Sequence, residues 1–321
     1  MTDSWPPTRL LAEGDLTVRA APLRPRVGGA WLVAWRHEEG LLRRTPLPAD
    51  STGVVQTSAD ASWLHDFLDR LAATGFPAPR PFPAFGGRSW TTGGGSLWQL
   101  VSFLPGQVVG WASAPSLTEV GMLLGRYHVA VATLGPVAQR PAALPLADVP
   151  AILLSGQVEA AGVGPGRAAR IRSLAAGLAT DLAGADLTSA GRLVIHGDFT
   201  CHNVLAAGAP PAAVGVIDFE LAHAESPLAD IGYGLWRSGR PHQDAACVDP
   251  LRLAQFVRGY ASVRPIPTDQ AGLIPVYLRG RGLQMIAKRV RIGQPETGML
   301  AQVSWLSAQR DALAEICARA C

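Results

Sequence analysis

The stretch VIHGDFTCHNVL, residues 194–205, sets His196, Asp198 and Asn203 between two apolar runs, with Gly197 beside the aspartate. A second apolar run, VGVIDFELA, delivers Asp218 fifteen residues after Asn203. The intervening AAGAPP reads as a hairpin-like turn, so two paired strands would bring the Asp218 carboxylate beside Asn203. Two carboxylates and one amide would then converge where short buried strands end.

Phosphoryl transfer from a nucleotide asks for such a set. It needs a base that orients the attacking hydroxyl, and hard oxygen ligands that hold Mg²⁺ on the phosphates. Asp198 suits the base. Asn203 and Asp218 suit the metal, whose other ligands would be phosphate and water oxygens.

The spacing H-x-D-x-x-x-x-N, followed by I-D-F-E, matches the kinase catalytic loop and metal motif. In the form H-G-D-x-x-x-x-N it resembles the aminoglycoside phosphotransferase and choline kinase family, small-molecule kinases of protein-kinase-like fold. The resemblance implies an α+β bilobal fold. Residues 1–104 would form an N-lobe with a small antiparallel β-sheet and one helix, and residues 105–321 a mainly helical C-lobe. It implies ATP or GTP with Mg²⁺, and a small-molecule alcohol as acceptor. Asp230 in SPLADIGY falls where the family has an aspartate that caps a helix and braces the catalytic loop. His196 has two readings, acid–base work or fixing the loop's shape. The second is preferred, because Asp198 already fills the base role. His128, ending LLGRYH, reads as a packed histidine. VSFLPG, residues 101–106, resembles the hinge, so backbone groups around Val101 and Phe103 would hold the adenine.

Two places depart from the family pattern. The usual lysine of the third strand is missing: the text is LLRRT, and Lys288 is the only lysine in the chain. Arg43 falls at the matching position, with Arg44 as the alternative; a slip of one residue would swap their faces. Arginine keeps the charge and can contact phosphate oxygens in pairs. Gly28-Gly29, expected as a turn between the first two strands, would let backbone approach the phosphates. The helix glutamate that normally pairs with the lysine is also missing. Leu64 or His65 stands near its place, with Asp66 and Asp69 close by. These gaps motivate a rival reading, a nucleotide-binding pseudokinase without phosphotransfer activity. The presence of Asp198, Asn203 and Asp218 together speaks against it.

The rest of the chain fits a globular protein. Of 321 residues, 48% are hydrophobic and 17% charged, and the net charge is +3. No dense basic block suggests nucleic acid or an anionic membrane as partner. No run of 18 apolar residues suggests a membrane span, and MTDSWPPTRL has no signal pattern. The four cysteines lack metal-like spacing. A cytoplasmic monomer or homodimer is expected.

Hydrophobic periodicity places strands in LTVRA, AWLVAWR and GLLRRT, a helix over 58–74, and strands at 88–92 and 96–104. Further helices are expected from a capping box at Ser116 and Glu119, and over 150–161, 166–183, 228–237, 250–262, 271–291 and 298–320. The basic stretch RGRGLQMIAKRVRIG, 279–293, reads as a solvated helix face, with an anionic-ligand contact as the alternative. Tyr233, Trp236, Tyr260, Tyr277, Arg279 and Arg281 on the C-terminal helices would suit a neutral or anionic alcohol: a sugar, a nucleoside-like antibiotic or a homoserine-like metabolite. Antibiotic inactivation and ordinary metabolism are both compatible with this.

Overall fold

The computed structural model describes residues 6–19, 29–47, 57–110, 117–140, 144–185, 191–295 and 298–321. The chain divides into two compact units. One is Met1–Pro105 with Arg140–Ala142; the other is Gly106–Gln139 with Ala143–Cys321. The first unit thus takes in a short later segment that the expected boundary at 104 leaves out. Its anchor is Arg140, whose Nε donates to Asp60 Oδ1 at 3.2 Å, with both side chains buried. Removing one partner of such a buried pair costs roughly 3–5 kcal/mol.

The first unit runs α1 (Thr8–Gly14), β1 (Leu16–Val18), β2 (Gly29–Trp35), β3 (Glu38–Pro46), α2 (Ser58–Ala73), β4 (Trp90–Gly93) and β5 (Ser96–Ser102). Its strands form one antiparallel sheet in the order β1-β2-β3-β5-β4. Alternation decides the faces. Trp31, Val33 and Trp35 of β2, Leu42 of β3, and Trp98 and Leu100 of β5 join Phe82 and Phe85 in one buried cluster. Trp35 stacks on Phe82 with ring centroids 4.8 Å apart. Residues of opposite parity on β3 and β5 turn the other way, where α2 supplies His65: its Nε2 meets Gln99 Oε1 at 2.9 Å. Thr57 and Asp60 cap α2 with a reciprocal capping box.

Gly29 is not in a turn. It is the first residue of β2, paired with Arg44, and a Cβ there would run into the Trp31 indole. Gly28 lies outside the described residues, as does Ser116 of the expected capping box.

The second unit begins with β6 (Gln107–Val108), α3 (Leu117–Ala132), α4 (Val149–Leu154), α5 (Gln157–Ala160) and α6 (Pro165–Ala183). Next come β7 (Leu193–Ile195), β8 (Val204–Ala207), β9 (Ala212–Val216), β10 (His223–Glu225), α7 (Pro227–Ser238) and α8 (Pro250–Val263). α9 (Thr268–Ala271), α10 (Leu273–Arg291), α11 (Met299–Ala308) and α12 (Arg310–Ala320) close it. Its strands make two small ladders, β10-β7 and β6-β8-β9. The helices expected over 150–161 and 298–320 are each broken, at Ser155–Gly156 and at Gln309.

α3 and α8 cross at very short range. A Cβ on Gly121 would collide with the Phe256 carbonyl oxygen, and one on Gly259 with that of Thr118. This closeness lets His128 of α3 reach the Tyr260 hydroxyl of α8 at 2.9 Å. No helix among the described residues is long and apolar enough to cross a membrane.

Candidate active site

The catalytic-type loop hangs from one buried carboxylate. Asp230, in the first turn of α7, accepts the His196 N–H at 2.7 Å through Oδ2 and the Gly197 N–H at 2.9 Å through Oδ1. Oδ2 also accepts from His128 Nε2 at 3.2 Å. Burial alone would raise the Asp230 pKa, but the His128 hydrogen bond and the neighbouring imidazoles hold it below the ordinary value. Burial lowers that of His128, outweighing Asp230. The consistent arrangement is an ionised Asp230 and a neutral His128 whose Nδ1 accepts the Tyr260 hydroxyl. Gly197 has φ +76°, and a Cβ there would strike the Leu221 carbonyl oxygen, so only glycine lets the loop turn here.

His196 is buried between Phe199 and Phe219, with ring centroids at 5.6 and 4.6 Å. Its Nε2 donates to the Ile217 carbonyl at 3.0 Å, and its Nδ1 accepts the Asp198 N–H at 3.2 Å. Both ring nitrogens are therefore engaged in joining the Asp198 loop to the residue before Asp218.

Asn203 lies under Asp198. Its Nδ2 donates to the Asp198 carbonyl at 2.9 Å and lies 3.3 Å from Asp198 Oδ2. Its backbone carbonyl accepts the Ile217 N–H at 2.9 Å, next to the β8–β9 pair Val204↔Val216. Asp218 follows in the left-handed region, φ 69° and ψ 56°, a conformation that aspartate tolerates better than most residues.

The set fits a hard cation. With Nδ2 turned to the loop carbonyl, Asn203 Oδ1 receives no hydrogen bond among the described residues. Asp218 offers a carboxylate one residue beyond the Asn203–Ile217 bond. No group of three His, Cys, Asp or Glu placed to hold a metal ion occurs among the described residues, so phosphate and water oxygens would complete the coordination.

Sequence reasoning named Arg281 among the side chains suited to the acceptor but did not foresee its contact with Asp198. Arg281 of α10 donates from Nη2 to Asp198 Oδ1 at 3.1 Å; its side chain is 4% exposed, that of Asp198 28%. Gln284 Oε1 accepts from Arg281 Nη1 at 2.6 Å, and Gln284 Nε2 donates to the Leu144 carbonyl at 2.7 Å. The guanidinium stacks over the Tyr233 ring at 5.0 Å, and the Tyr233 hydroxyl donates to Glu225 Oε2 at 3.1 Å. The reading of 279–293 as a solvated face therefore fails for its first turn. Arg279 is buried too, bound to Asp181 at 2.5 Å. Tyr260 is occupied by His128, and of the six C-terminal side chains singled out, Tyr233 and Arg281 are the pair joined to Asp198.

In the first unit, pairing fixes the two arginines. Arg43 stands opposite Ala30 and Gln99, on the His65 face. Arg44 stands opposite Gly29 and Trp98, donates to Ser96 Oγ at 3.2 Å and lies over the Trp98 ring. His65 occupies the neighbourhood expected for the missing glutamate. It is buried between Ser89 and Gln99, and burial lowers its pKa. A neutral imidazole thus stands where an acid was sought. Val101 is buried opposite Leu41, and the Phe103 N–H donates to the Glu39 carbonyl at 2.9 Å.

The chain is 27% identical over 241 residues to the homoserine kinase of Acidiphilium cryptum, covering 72% of this chain and 70% of that one. It is 27% identical over 245 residues to that of Rhizobium etli, covering 76% and 73%. A microcompartment-associated aminopropanol kinase superposes with TM-score 0.66 at 18% identity, covering 96% of this chain and 95% of that one. An aminoglycoside phosphotransferase from Alicyclobacillus acidocaldarius gives 0.62 at 15%, covering 100% and 98%. The α+β fold is therefore kinase-like. With residues 29–266 matching its model, the chain belongs to the phosphotransferase enzyme family and is a small-molecule O-phosphotransferase with an alcohol group as acceptor.

Proposed function

We propose that the chain moves the γ-phosphoryl group of ATP or GTP to a hydroxyl of a small molecule, with Asp198 as base. The observation that carries this is the pose of Asp198, half-buried with Asn203 at one oxygen and Arg281 at the other. The acceptor oxygen bonds to the γ-phosphorus as the bond from that phosphorus to the β–γ bridging oxygen breaks. The electron pair leaves with the nucleoside diphosphate, and the hydroxyl proton passes to Asp198. Asn203 Oδ1 and the Asp218 carboxylate are the ligands offered to Mg²⁺, which when bound neutralises charge on the phosphates. His196 and Asp230 hold the loop in shape. Arg43 is assigned a phosphate contact in place of the usual lysine, with Val101 and Phe103 beside the adenine.

Homoserine is the first acceptor to try, because relatives matching most of the chain carry that name. The test is Mg²⁺-dependent release of ADP or GDP on adding L-homoserine or pooled alcohols, with Asp198→Asn as control. Acceptor-stimulated release that the variant lacks supports the proposal. Release that persists in the variant removes the base assignment, and none from any pool favours a nucleotide-binding pseudokinase.

A further inference from the structure

Arg281 poses a charge problem that the phosphotransfer reading does not solve. Its guanidinium is buried and fixed by Gln284 and Tyr233, and its carboxylate partner is Asp198. A buried ion needs a counter-ion, because losing its partner leaves the full desolvation cost uncompensated. Yet the reaction protonates that same carboxylate. At the moment Asp198 accepts the hydroxyl proton, Arg281 loses its neutralising charge. An anion arriving with a substrate would restore that neutralising charge at the guanidinium itself.

Geometry says which substrate. The two oxygens of Asp198 face different surroundings. Oδ2 lies toward Asn203, on the side where the metal ligands gather. Oδ1 lies toward α10, where Arg281 is backed by α7 through Tyr233 and by the Leu144 carbonyl through Gln284. The phosphates, bound through the metal, belong to the first side. The anion that meets Arg281 belongs to the second, with the acceptor.

We propose that Arg281 reads a carboxylate on the acceptor, and that in the empty enzyme Asp198 stands in for that carboxylate. The acceptor class is then a hydroxy acid or hydroxy amino acid rather than a neutral sugar or a polycationic aminoglycoside. When the acceptor carboxylate takes the guanidinium, Asp198 Oδ1 is freed to meet the acceptor hydroxyl. Base and specificity are thus coupled: a ligand without the anion leaves Asp198 tied to Arg281. This inference rests on the assignment of Asp198 as base. Tyr233 acts as a positioning residue, keeping the guanidinium plane fixed.

The experiment compares matched acceptors in the unaltered enzyme, so it does not depend on a variant folding. One pool holds carboxylate-bearing alcohols, L-homoserine among them. The other holds their decarboxylated partners, such as 3-aminopropan-1-ol for homoserine. Two readouts are taken: the melting-temperature shift of the protein, and acceptor-stimulated ADP or GDP release. The expected preference in kcat/KM is at least about 100-fold for the carboxylate-bearing partner, the range for a buried group left unpaired by the wrong substrate. In Arg281→Lys and Arg281→Gln this ratio should fall toward one. The melting shift from the carboxylate pool should persist in Asp198→Asn and vanish in Arg281→Gln.

Equal use of both pools, or release from the decarboxylated pool alone, overturns the inference and leaves the phosphotransfer reading standing. So does a loss in the Arg281 variants that is the same for both partners. No melting shift from any carboxylate-bearing alcohol overturns it as well. An Arg281-dependent shift without release from either pool leaves the carboxylate site standing, and it is then the phosphotransfer reading that falls.

Discussion

Asp230→Asn should cost about 2–4 kcal/mol of stability while changing almost no volume. In the native enzyme the Asp230 carboxylate takes three N–H donors: His196 N at 2.7 Å, Gly197 N at 2.9 Å and His128 Nε2 at 3.2 Å. Asparagine keeps one acceptor oxygen and replaces the other with a donor. If the amide turns its oxygen to His196 and His128, the Gly197 N–H faces an NH₂ group and stays unsatisfied. If it turns the other way, the His196 N–H does, although His128 could change tautomer and accept. The first orientation loses one bond and leaves one buried donor unpaired, about 1–3 kcal/mol, plus the charge assistance of the remaining two. Urea denaturation followed by circular dichroism reads the difference. Activity should fall too, because the same two amides carry the turn before Asp198. A loss below about 0.5 kcal/mol, the usual size for a site outside any network, would refute the claim that the loop hangs from this carboxylate.

Asp218→Ala should weaken Mg²⁺–nucleotide binding in calorimetry, and unchanged affinity would count against it as a metal ligand. Arg43→Ala should raise the nucleotide KM more than Arg44→Ala does, since Arg43 takes the matching position of the usual lysine and stands on the face of Gln99 and His65, opposite that of Trp98; the reverse order would move the phosphate contact. Burial lowers the pKa values of His128 and His65 below the ordinary 6.5. The unfolded chain therefore takes up protons first, and stability should drop as pH falls below about 6.5, by up to roughly 1.4 kcal/mol per pH unit for each histidine. Denaturation midpoints flat from pH 7 to pH 5 would show that the two imidazoles are not held neutral.

The shape of the loop that carries Asp198 was legible because its signal is local. A short polar motif released by an apolar strand can be read from spacing alone, and Asn203 and Asp218 were brought together by a hairpin written in adjacent residues. The long helices were legible from their periodicity. What escaped depends on partners far away in the chain. β10 has three residues and exists because Ile195, Val194 and Leu193 are there to pair with it. β6 likewise borrows its ladder from β8. Arg281 had two readings, a solvated helix face and a contact with an anionic ligand or acceptor, and its own helix could not decide between them; its burial is fixed by Asp198, 83 residues earlier, and by the Leu144 carbonyl holding Gln284. Arg43 and Arg44 could not be told apart until the pairing of β3 with β5 set Gln99 opposite one and Trp98 opposite the other. Leu64 and His65 were both named near the glutamate's place, but the partners of His65, Ser89 and Gln99, lie 24 and 34 residues away, where no periodicity records them.

The most direct test of the central claim is ³¹P NMR of the product mixture with Mg²⁺, nucleotide and an acceptor, run in parallel on the unaltered enzyme and on Asp198→Asn. The account predicts a phosphate monoester on the acceptor that appears only with Asp198 present, while the variant still binds Mg²⁺–nucleotide. A monoester formed at a comparable rate by Asp198→Asn would contradict it.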